Sequence, residues 1–266
     1  MREFDVSEYK VRTDKIPAES KGFKFIMISD LHSNDYKVNL HKVNEVIVKE
    51  KPDGIILAGD IINRSVDDIG DILRFLNALA GHYPVFYALG NHEYALKKNE
   101  YKYGNAFEAY KTLLQEYGIV FLEDDTIEFT KDNAVIALSG VEIDMAYYGI
   151  NSPVMGGGLM DKHLGCPDKN VFQLLIAHNP KYFDRYAKWG ADLVLSGHLH
   201  GGIVRLPALG GVVGTDMSIF PKYDGGIYRL GKSRMIVSRG LGTHTVKIRI
   251  NNKPELVIVK ILAKKD

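Results

Sequence analysis

Residues 23–32 read FKFIMISDLH, and this stretch sets the pattern on which the fold is built. A nearly continuous apolar run stops at Asp30 and His32. Such a run is typical of a strand that is buried on both faces, as in a parallel sheet. The pattern returns at residues 54–60, GIILAGD, and again at residues 84–93, PVFYALGNHE. We therefore expect three buried strands that each end in a polar cluster.

The segments between these strands have helical spacing. Apolar residues recur three and four positions apart over residues 40–47 and 69–80, and a further helix is predicted over residues 106–117. Strands that alternate with helices are typical of βαβ units and a parallel core sheet.

The second half of the chain is richer in strands. A hairpin and two more buried strands are predicted, followed by short strands, at residues 127–130, 134–139, 172–177, 192–196, 226–230, 234–237, 246–250 and 256–262. No repeat or linker divides the chain. We therefore predict a single domain over residues 1–266, an α/β fold whose two sheets are covered by helices.

The segment 142–170 matches no regular element. It contains three consecutive glycines, Gly156 to Gly158, among several Met and Tyr side chains. A structureless loop of this length is usually functional or disordered. We interpret it as a possible substrate-side loop, with a packed flap that only shields the sheet as the alternative.

Composition excludes several classes of protein. The 266 residues include 34 Lys and Arg against 33 Asp and Glu, a net charge of +1, so we expect no sequence-specific nucleic-acid binding. The single cysteine, Cys166, excludes an internal disulfide framework and fits a reducing compartment. No signal-peptide pattern or membrane-length apolar run occurs. We expect a cytoplasmic chain that meets a membrane only through its substrate or through an anchor upstream of this sequence.

Clusters of metal-capable residues follow five of the predicted strands. They are Asp30-Leu31-His32, Gly59-Asp60, Gly90-Asn91-His92-Glu93, His178-Asn179 and Gly197-His198-Leu199-His200. Ligands bind at the carboxyl ends of strands in open α/β sheets, so the clusters should meet at one edge. Taken singly, each motif could be a turn cap or a surface feature. Together they predict a site for two divalent ions of the Mn, Fe, Zn or Mg type, which accept such oxygen and nitrogen donors.

This motif series resembles the calcineurin-like metallophosphoesterase superfamily, over about residues 23–200. The later stretches Gly201–Pro207 and Ser238–Gly242 resemble the bacterial branch that includes the YkuE- and YaeI-type phosphoesterases. The resemblance implies an αββα sandwich, in which two mixed sheets pack face to face between helices, and a dinuclear metal site at the strand ends.

The resemblance also implies a role for each residue of the clusters. One ion would be bound by Asp30, His32 and His200, the other by Asn91, His178 and His198, and both by Asp60. His92 would be catalytic, lying beside the substrate and stabilising or protonating the leaving oxygen.

One position departs from the common family pattern. Many members have an aspartate three residues after the bridging one, where it pairs with the histidine that corresponds to His92. Here that position is Asn63, and an amide can orient an imidazole without stabilising its charge. The alternative is that Asn63 only caps the following turn.

The function that this resemblance implies is hydrolysis of a phosphoric ester. A phosphodiesterase or phosphatase would use a metal-activated water on a small phosphate-ester substrate. An alternative is a pyrophosphatase acting on a nucleotide-linked lipid of the UDP-diacylglucosamine type, suggested by the Met and Tyr residues of the segment 142–170. A non-catalytic scaffold of the same fold is the third possibility, which the intact set of seven ligand positions disfavours.

Overall fold

Two six-stranded sheets dominate the computed structural model, which describes residues 2–149, 151–206, 209–214, 218–243 and 248–264. The first sheet consists, from edge to edge, of β1 (Asp5–Thr13), β14 (Glu255–Ala263), β2 (Phe23–Ile28), β3 (Gly54–Ala58), β4 (Val85–Ala88) and β5 (Ile119–Phe121). Strands β2 to β5 are mutually parallel, and β14 lies antiparallel to β2.

The second sheet has the same mixed character. Its order is β12 (Gly226–Leu230), β13 (Ser233–Val237), β9 (Leu193–Ser196), β8 (Phe172–Ile176), β7 (Ala134–Gly140) and β6 (Asp125–Lys131). The four central strands are parallel, and the strands at the two edges pair antiparallel. A separate small hairpin joins β10 (Val204–Leu206) to β11 (Gly210–Val213).

Helices cover the outer faces of both sheets. Those on the first sheet are α1 (Leu40–Glu50), α2 (Gly70–Ala80), α3 (Asn91–Lys98) and α5 (Ala106–Glu116), with the short α4 (Glu100–Tyr103) beside them. The second sheet is covered by α6 (Leu159–Leu164) and α7 (Phe183–Trp189). This arrangement confirms the predicted αββα sandwich.

The sequence of β2 shows why the sandwich forms. Phe25 and Met27 point into the core between the two sheets, whereas Ile26 and Ile28 point into the core beneath the helices. Because side chains alternate across a strand, an apolar residue at every position is required when both faces are buried.

Part of the prediction for the segment 142–170 was wrong. It contains a 3-10 turn at Met145–Tyr147 and the helix α6, whose six residues are too few to show a helical period in the sequence. Met155 and Met160 are 1% and 2% exposed and pack in the core beneath α7. These two side chains therefore offer no surface to a substrate.

Two further differences concern strands. The predicted strand at 246–250 lies partly outside the described residues, and its described part makes only an isolated bridge from Ile250 to Val204. The edge strand β1 was not predicted, because its alternating charged and apolar residues are mostly exposed on one face. Within the described residues, no helix combines the length and the apolar character that a membrane span requires.

Candidate metal centre

The turns that follow β2, β3, β4, β8 and β9 converge at one edge of the sandwich. They bring seven of the eight predicted site residues into three overlapping groups, in which the donor atoms of each group lie within 4.8 Å of one another. The groups are Asp30, His32 and His200; His32, Asp60 and His92; and Asp60, His178 and His198. The eighth residue, Asn91, begins α3 next to His92. Asp60 and His32 each belong to two of these groups, and Asp60 is the carboxylate of the two.

Short distances link the carboxylates to the imidazoles. His178 Nε2 lies 3.2 Å from Asp60 Oδ2 and 3.7 Å from Asp30 Oδ1, and His200 Nε2 lies 3.4 Å from the same Asp30 oxygen. These four residues are at most 3% exposed. Because these oxygen and nitrogen atoms are buried, water does not solvate the carboxylate charges, which favours a bound cation.

Hydrogen bonds on the outer sides of two rings set the tautomers. His178 Nδ1 donates to the Ala58 carbonyl over 2.7 Å, and His32 Nδ1 lies 3.1 Å from Asn63 Oδ1. A neutral imidazole that donates through Nδ1 has its lone pair on Nε2, the atom directed into the cluster. Both rings are thus prepared to bind a metal through Nε2.

The third ring shows the same arrangement. His200 Nδ1 lies 3.3 Å from the Gly242 carbonyl, and its Nε2 is only 3.0 Å from His32 Nε2. At this distance the two nitrogens share a proton in a hydrogen bond when no metal is present, and a metal ion bound by both would replace that proton. The arrangement therefore fits a metal ion.

Asn91 provides a second sign of fit. Its Oδ1 atom is buried and accepts no hydrogen bond from the described residues. Buried polar atoms nearly always have a partner, and an amide oxygen is a suitable ligand for hard or borderline cations. The position of Asn91 at the start of α3 thus agrees with a ligand role.

The charges of the cluster interact strongly. Burial raises the pKa of Asp30 to about 6, whereas burial of Asp60 is outweighed by the charges of His178 and other histidines, which hold its pKa well below the usual value. For His178, burial is likewise outweighed by Asp60 and Asp30, and its pKa rises to about 10. Burial and the nearby His32 lower the pKa of His200. Asp60 is therefore ionised and His200 is neutral, whereas His178 is protonated without a metal and would release its Nε2 proton when a metal binds.

Backbone strain is concentrated at the same residues. Five of the eight have positive φ angles between 50° and 73°: Asp30, His32, Asp60, His198 and His200. Such angles are uncommon outside glycine and cost about 1–3 kcal/mol each, and they tend to occur at functional sites. Here the tight turns place several donors within a single small volume.

Glu93 is a functional residue to which the sequence analysis gave no role, although its motif was singled out. Its buried carboxylate accepts hydrogen bonds from the backbone N–H groups of Asp60, Ile61, Ile62 and Gly90, over 2.7–3.1 Å, and from the Tyr87 hydroxyl over 2.7 Å. It therefore ties the turn after β3 to the turn after β4. In the sequence, the only sign of this role is the place of Glu93 in the motif Gly90-Asn91-His92-Glu93.

The structure places Asn63 differently from the prediction. Its amide oxygen lies against His32, and its amide nitrogen donates to the His32 carbonyl and to Asp35 Oδ2 over 3.2 and 3.1 Å. Asn63 thus orients a predicted metal ligand, and the expectation that it pairs with His92 was wrong. Proximity along the chain could not show which ring it faces.

The segment 142–170 does reach the centre, through Tyr148. The Tyr148 ring meets the His198 ring edge-on at 4.9 Å between centroids and lies 6.5 Å from the His178 ring. This tyrosine therefore forms one wall beside the turns that follow β8 and β9 of the second sheet. The buried methionines of the segment do not contribute to that wall.

Arg249 supports the opposite side of the centre. Its guanidinium donates to the carbonyls of His200, Arg239, Gly240 and Gly242. These contacts hold the turn after β13 against the His200 turn. The sequence carries no local signal of this role, because Arg249 is distant from every motif.

Comparison with known proteins gives consistent matches. Residues 23–202 match the sequence model of the family described as calcineurin-like phosphoesterase. The uncharacterized metallophosphoesterase YkuE of Bacillus subtilis is 28% identical, over 96% of this chain and 84% of its own. The phosphodiesterase YaeI of Escherichia coli is 26% identical, over 90% and 82%. A crystal structure of phosphopantetheinyl hydrolase from Mycobacterium tuberculosis aligns with a TM-score of 0.46 at 15% identity, covering 81% and 88%.

Proposed function

Because this chain belongs to the calcineurin-like phosphoesterase family, we propose that it hydrolyses small phosphodiesters with two divalent metal ions. The family and the named relatives make it a metal-dependent enzyme that hydrolyses phosphoesters. The number of ions rests on two groups of potential ligands that share no residue, one of Asp30, His32 and His200 and one of Asp60, His178 and His198. Asp60 Oδ2 also lies 3.9 Å from His32 Nε2, so this carboxylate reaches the first group. A shared carboxylate is what two adjacent ions need to offset their mutual repulsion.

The proposed ligands divide around Asp60. One position has Asp30, His32 and His200, and the other has Asn91, His178 and His198. The facing Nε2 atoms of His32 and His200 support the first position, and the inward Nε2 of His178 supports the second. The donors suit Mn, Fe, Zn or Mg, among which availability in the cell decides.

The metals would activate a water molecule as the nucleophile and neutralise charge on the phosphoryl oxygens. The protein residues position the reaction. Asp60 is held by the His92 backbone N–H, which donates to its Oδ1 over 2.8 Å. The His92 ring packs against His32 with 4.8 Å between centroids. We assign His92 the role of hydrogen-bond donor to the leaving oxygen.

A diester is favoured over a monoester because the relative YaeI is a phosphodiesterase. The lipid pyrophosphatase has weaker support, since Met155 and Met160 are buried in the core, whereas Tyr148 of the same segment lies beside the centre. A non-catalytic scaffold is disfavoured because every proposed ligand position retains a metal-capable side chain.

Elemental analysis and turnover of bis(p-nitrophenyl) phosphate test this proposal on the same samples. We expect two divalent ions per chain and activity that a chelator abolishes and added metal restores. The variant Asp60→Asn should lose at least one ion and nearly all turnover while keeping its fold by circular dichroism. Asp161→Asn, on the exposed side of α6, is the matched control. One ion per chain at full activity, or near-normal turnover by Asp60→Asn, would contradict the proposal.

A further inference from the structure

A cleft of about 230 Å³ opens directly beside His198. Its apolar walls include Leu199, Pro221 and Tyr223, and Lys181 and Lys222 stand at its edge. Because His198 is a proposed metal ligand, a phosphoryl group at the centre would extend one of its substituents into this cleft.

The aromatic wall of the cleft is firmly supported. The Tyr223 ring meets Phe183 edge-on at 6.0 Å and Tyr228 edge-on at 5.0 Å between centroids. Leu199 is 8% exposed and lies between two proposed ligands in the sequence. A preformed apolar surface of this kind favours a flat, compact group, since little side-chain freedom is lost on binding.

Size limits what the cleft can hold. Pockets for drug-sized ligands commonly measure roughly 300–1,000 Å³, so this smaller cleft suits a single ring system. A long acyl chain would not be accommodated within it.

The charges around the centre are asymmetric. Among the described residues that line the cleft beside His198, none is a carboxylate, and both lysines are exposed. By contrast, the described residues of a second cleft beside Ser33 and Asn63, the neighbours of His32, include four carboxylates against the single cation Lys37. The carboxylates are those of Asp35, Asp67, Asp68 and Asp71. A substituent with its own negative charge is therefore attracted to the His198 side and repelled from the His32 side.

We infer that the cleft beside His198 binds the ester group that stays on phosphorus, and that it selects a compact aromatic group carrying an additional negative charge. This inference rests on the proposed function and names its substrate class as anionic aryl phosphodiesters. His92, assigned to the leaving oxygen, does not line this cleft. The retained group is thus assigned to the His198 side of the metal centre, and the leaving group is assigned to the His92 side.

A series of p-nitrophenyl phosphodiesters tests the inference because all members release the same leaving group. The retained group is methyl, phenyl, 3-carboxyphenyl or 3-(trimethylammonio)phenyl. We expect KM to fall about tenfold from methyl to phenyl, as for apolar groups in a matching pocket. The carboxylate should lower KM about two- to fivefold further, and the ammonium group should raise it. Added salt should weaken the charge effect.

Charge-reversal variants test whether Lys181 and Lys222 cause the charge preference. Lys222→Glu, alone and combined with Lys181→Glu, should reverse the preference between the carboxylate and ammonium esters without changing metal content. Lys232→Glu is the matched control, since Lys232 is exposed in the turn between β12 and β13. Equal KM for the methyl and phenyl esters, or a charge preference that survives the double variant, would overturn the inference.

A binding measurement separates failure of this inference from failure of the proposed function. Phenylphosphonate should bind the metal-loaded protein about tenfold more tightly than methylphosphonate by calorimetry. If no ester is hydrolysed but this difference holds, the proposed function fails and the cleft assignment stands. If the esters are hydrolysed but the two phosphonates bind equally, the cleft assignment fails alone.

Discussion

The Glu93 carboxylate organises the site without facing the substrate. It accepts five hydrogen bonds, two on Oε2 from the backbones of Asp60 and Gly90, and three on Oε1 from two further N–H groups and Tyr87. Each buried N–H or O–H donor that is left without a partner lowers the stability of the fold by about 1–3 kcal/mol. The proposed bridging ligand is therefore placed by a side chain that is not itself a proposed ligand.

We predict that Glu93→Gln lowers the free energy of unfolding by at least about 2 kcal/mol, because either amide orientation turns an NH₂ group toward at least two donors. Weaker metal binding should accompany the loss, since the Asp60 turn moves. Chemical denaturation and metal titration measure the two effects. Glu100→Gln, on the exposed α4, is the control. Unchanged stability would mean that the turns do not depend on this carboxylate.

His92 could act as a hydrogen-bond donor or as a metal ligand, because its ring nitrogen also lies in a group with His32 and Asp60. As a hydrogen-bond donor to the leaving oxygen, it should be replaceable without loss of metal. We predict that His92→Ala keeps its full metal content and loses kcat by about 10²–10⁴-fold. The loss should be smaller for esters with good leaving groups, which need little protonation.

Metal analysis and kcat for several aryl leaving groups distinguish the two roles of His92. His82→Ala, an exposed histidine after α2, serves as the control. A missing ion, or an equal loss for every leaving group, would make His92 a ligand or a structural residue.

At the scale of elements, the strand-end turns depend on close backbone approach. A Cβ atom on Gly90, after β4, would lie 2.2 Å from Asp60 Oδ1, and one on Gly197, after β9, would lie 2.2 Å from Asp30 Oδ2. Real contacts are never that short, so a side chain at either position must displace a carboxylate. The turns of both sheets thus need glycine for the same reason, which is room for the metal-binding oxygens.

We predict that Gly90→Ala lowers metal content and activity together, because the added methyl group pushes Asp60 out of place. The control is Gly156→Ala, whose Cβ would meet nothing within 4 Å. Elemental analysis after purification measures the effect. Normal metal content in Gly90→Ala would show that the Asp60 turn adapts.

At the scale of the whole molecule, the site joins the two sheets. Asp30, His32 and Asp60 follow strands of the first sheet, and His178, His198 and His200 follow strands of the second. An ion bound by Asp30, His32 and His200, or by Asp60, His178 and His198, would therefore link the two sheets across the central core. Metal binding should consequently stabilise the entire sandwich.

We predict that metal removal lowers Tm, because a ligand that binds only the folded state stabilises it by about 2.7 kcal/mol at one hundred times its Kd. Calorimetric unfolding with metal and with chelator measures the shift. Asp60→Asn should show a smaller shift than the wild type. Identical Tm values under both conditions would mean that the ions do not link the layers.

Much of this architecture could be predicted from the sequence, because its determinants are local. Strands buried on both faces must be apolar throughout, as residues 23–28 and 54–58 are, and their polar ends identify the edge where ligands meet. The donor set at these ends indicated a metal site. Edge strand β1 was missed because it lacks the continuous apolar run of the buried strands, and the short α6 was missed because six residues do not show a helical period.

Other features were decided only by the tertiary structure. The partner of Asn63 is His32 because the two turns pack side by side, and Met155 turns into the core beneath α7. The cleft beside His198 is assembled from segments that lie far apart along the chain, near Lys181 and Lys222. Periodicity and motif spacing record which residues share a strand or a turn. They do not record which side chains face each other once distant segments pack, and that packing decides what the site can bind.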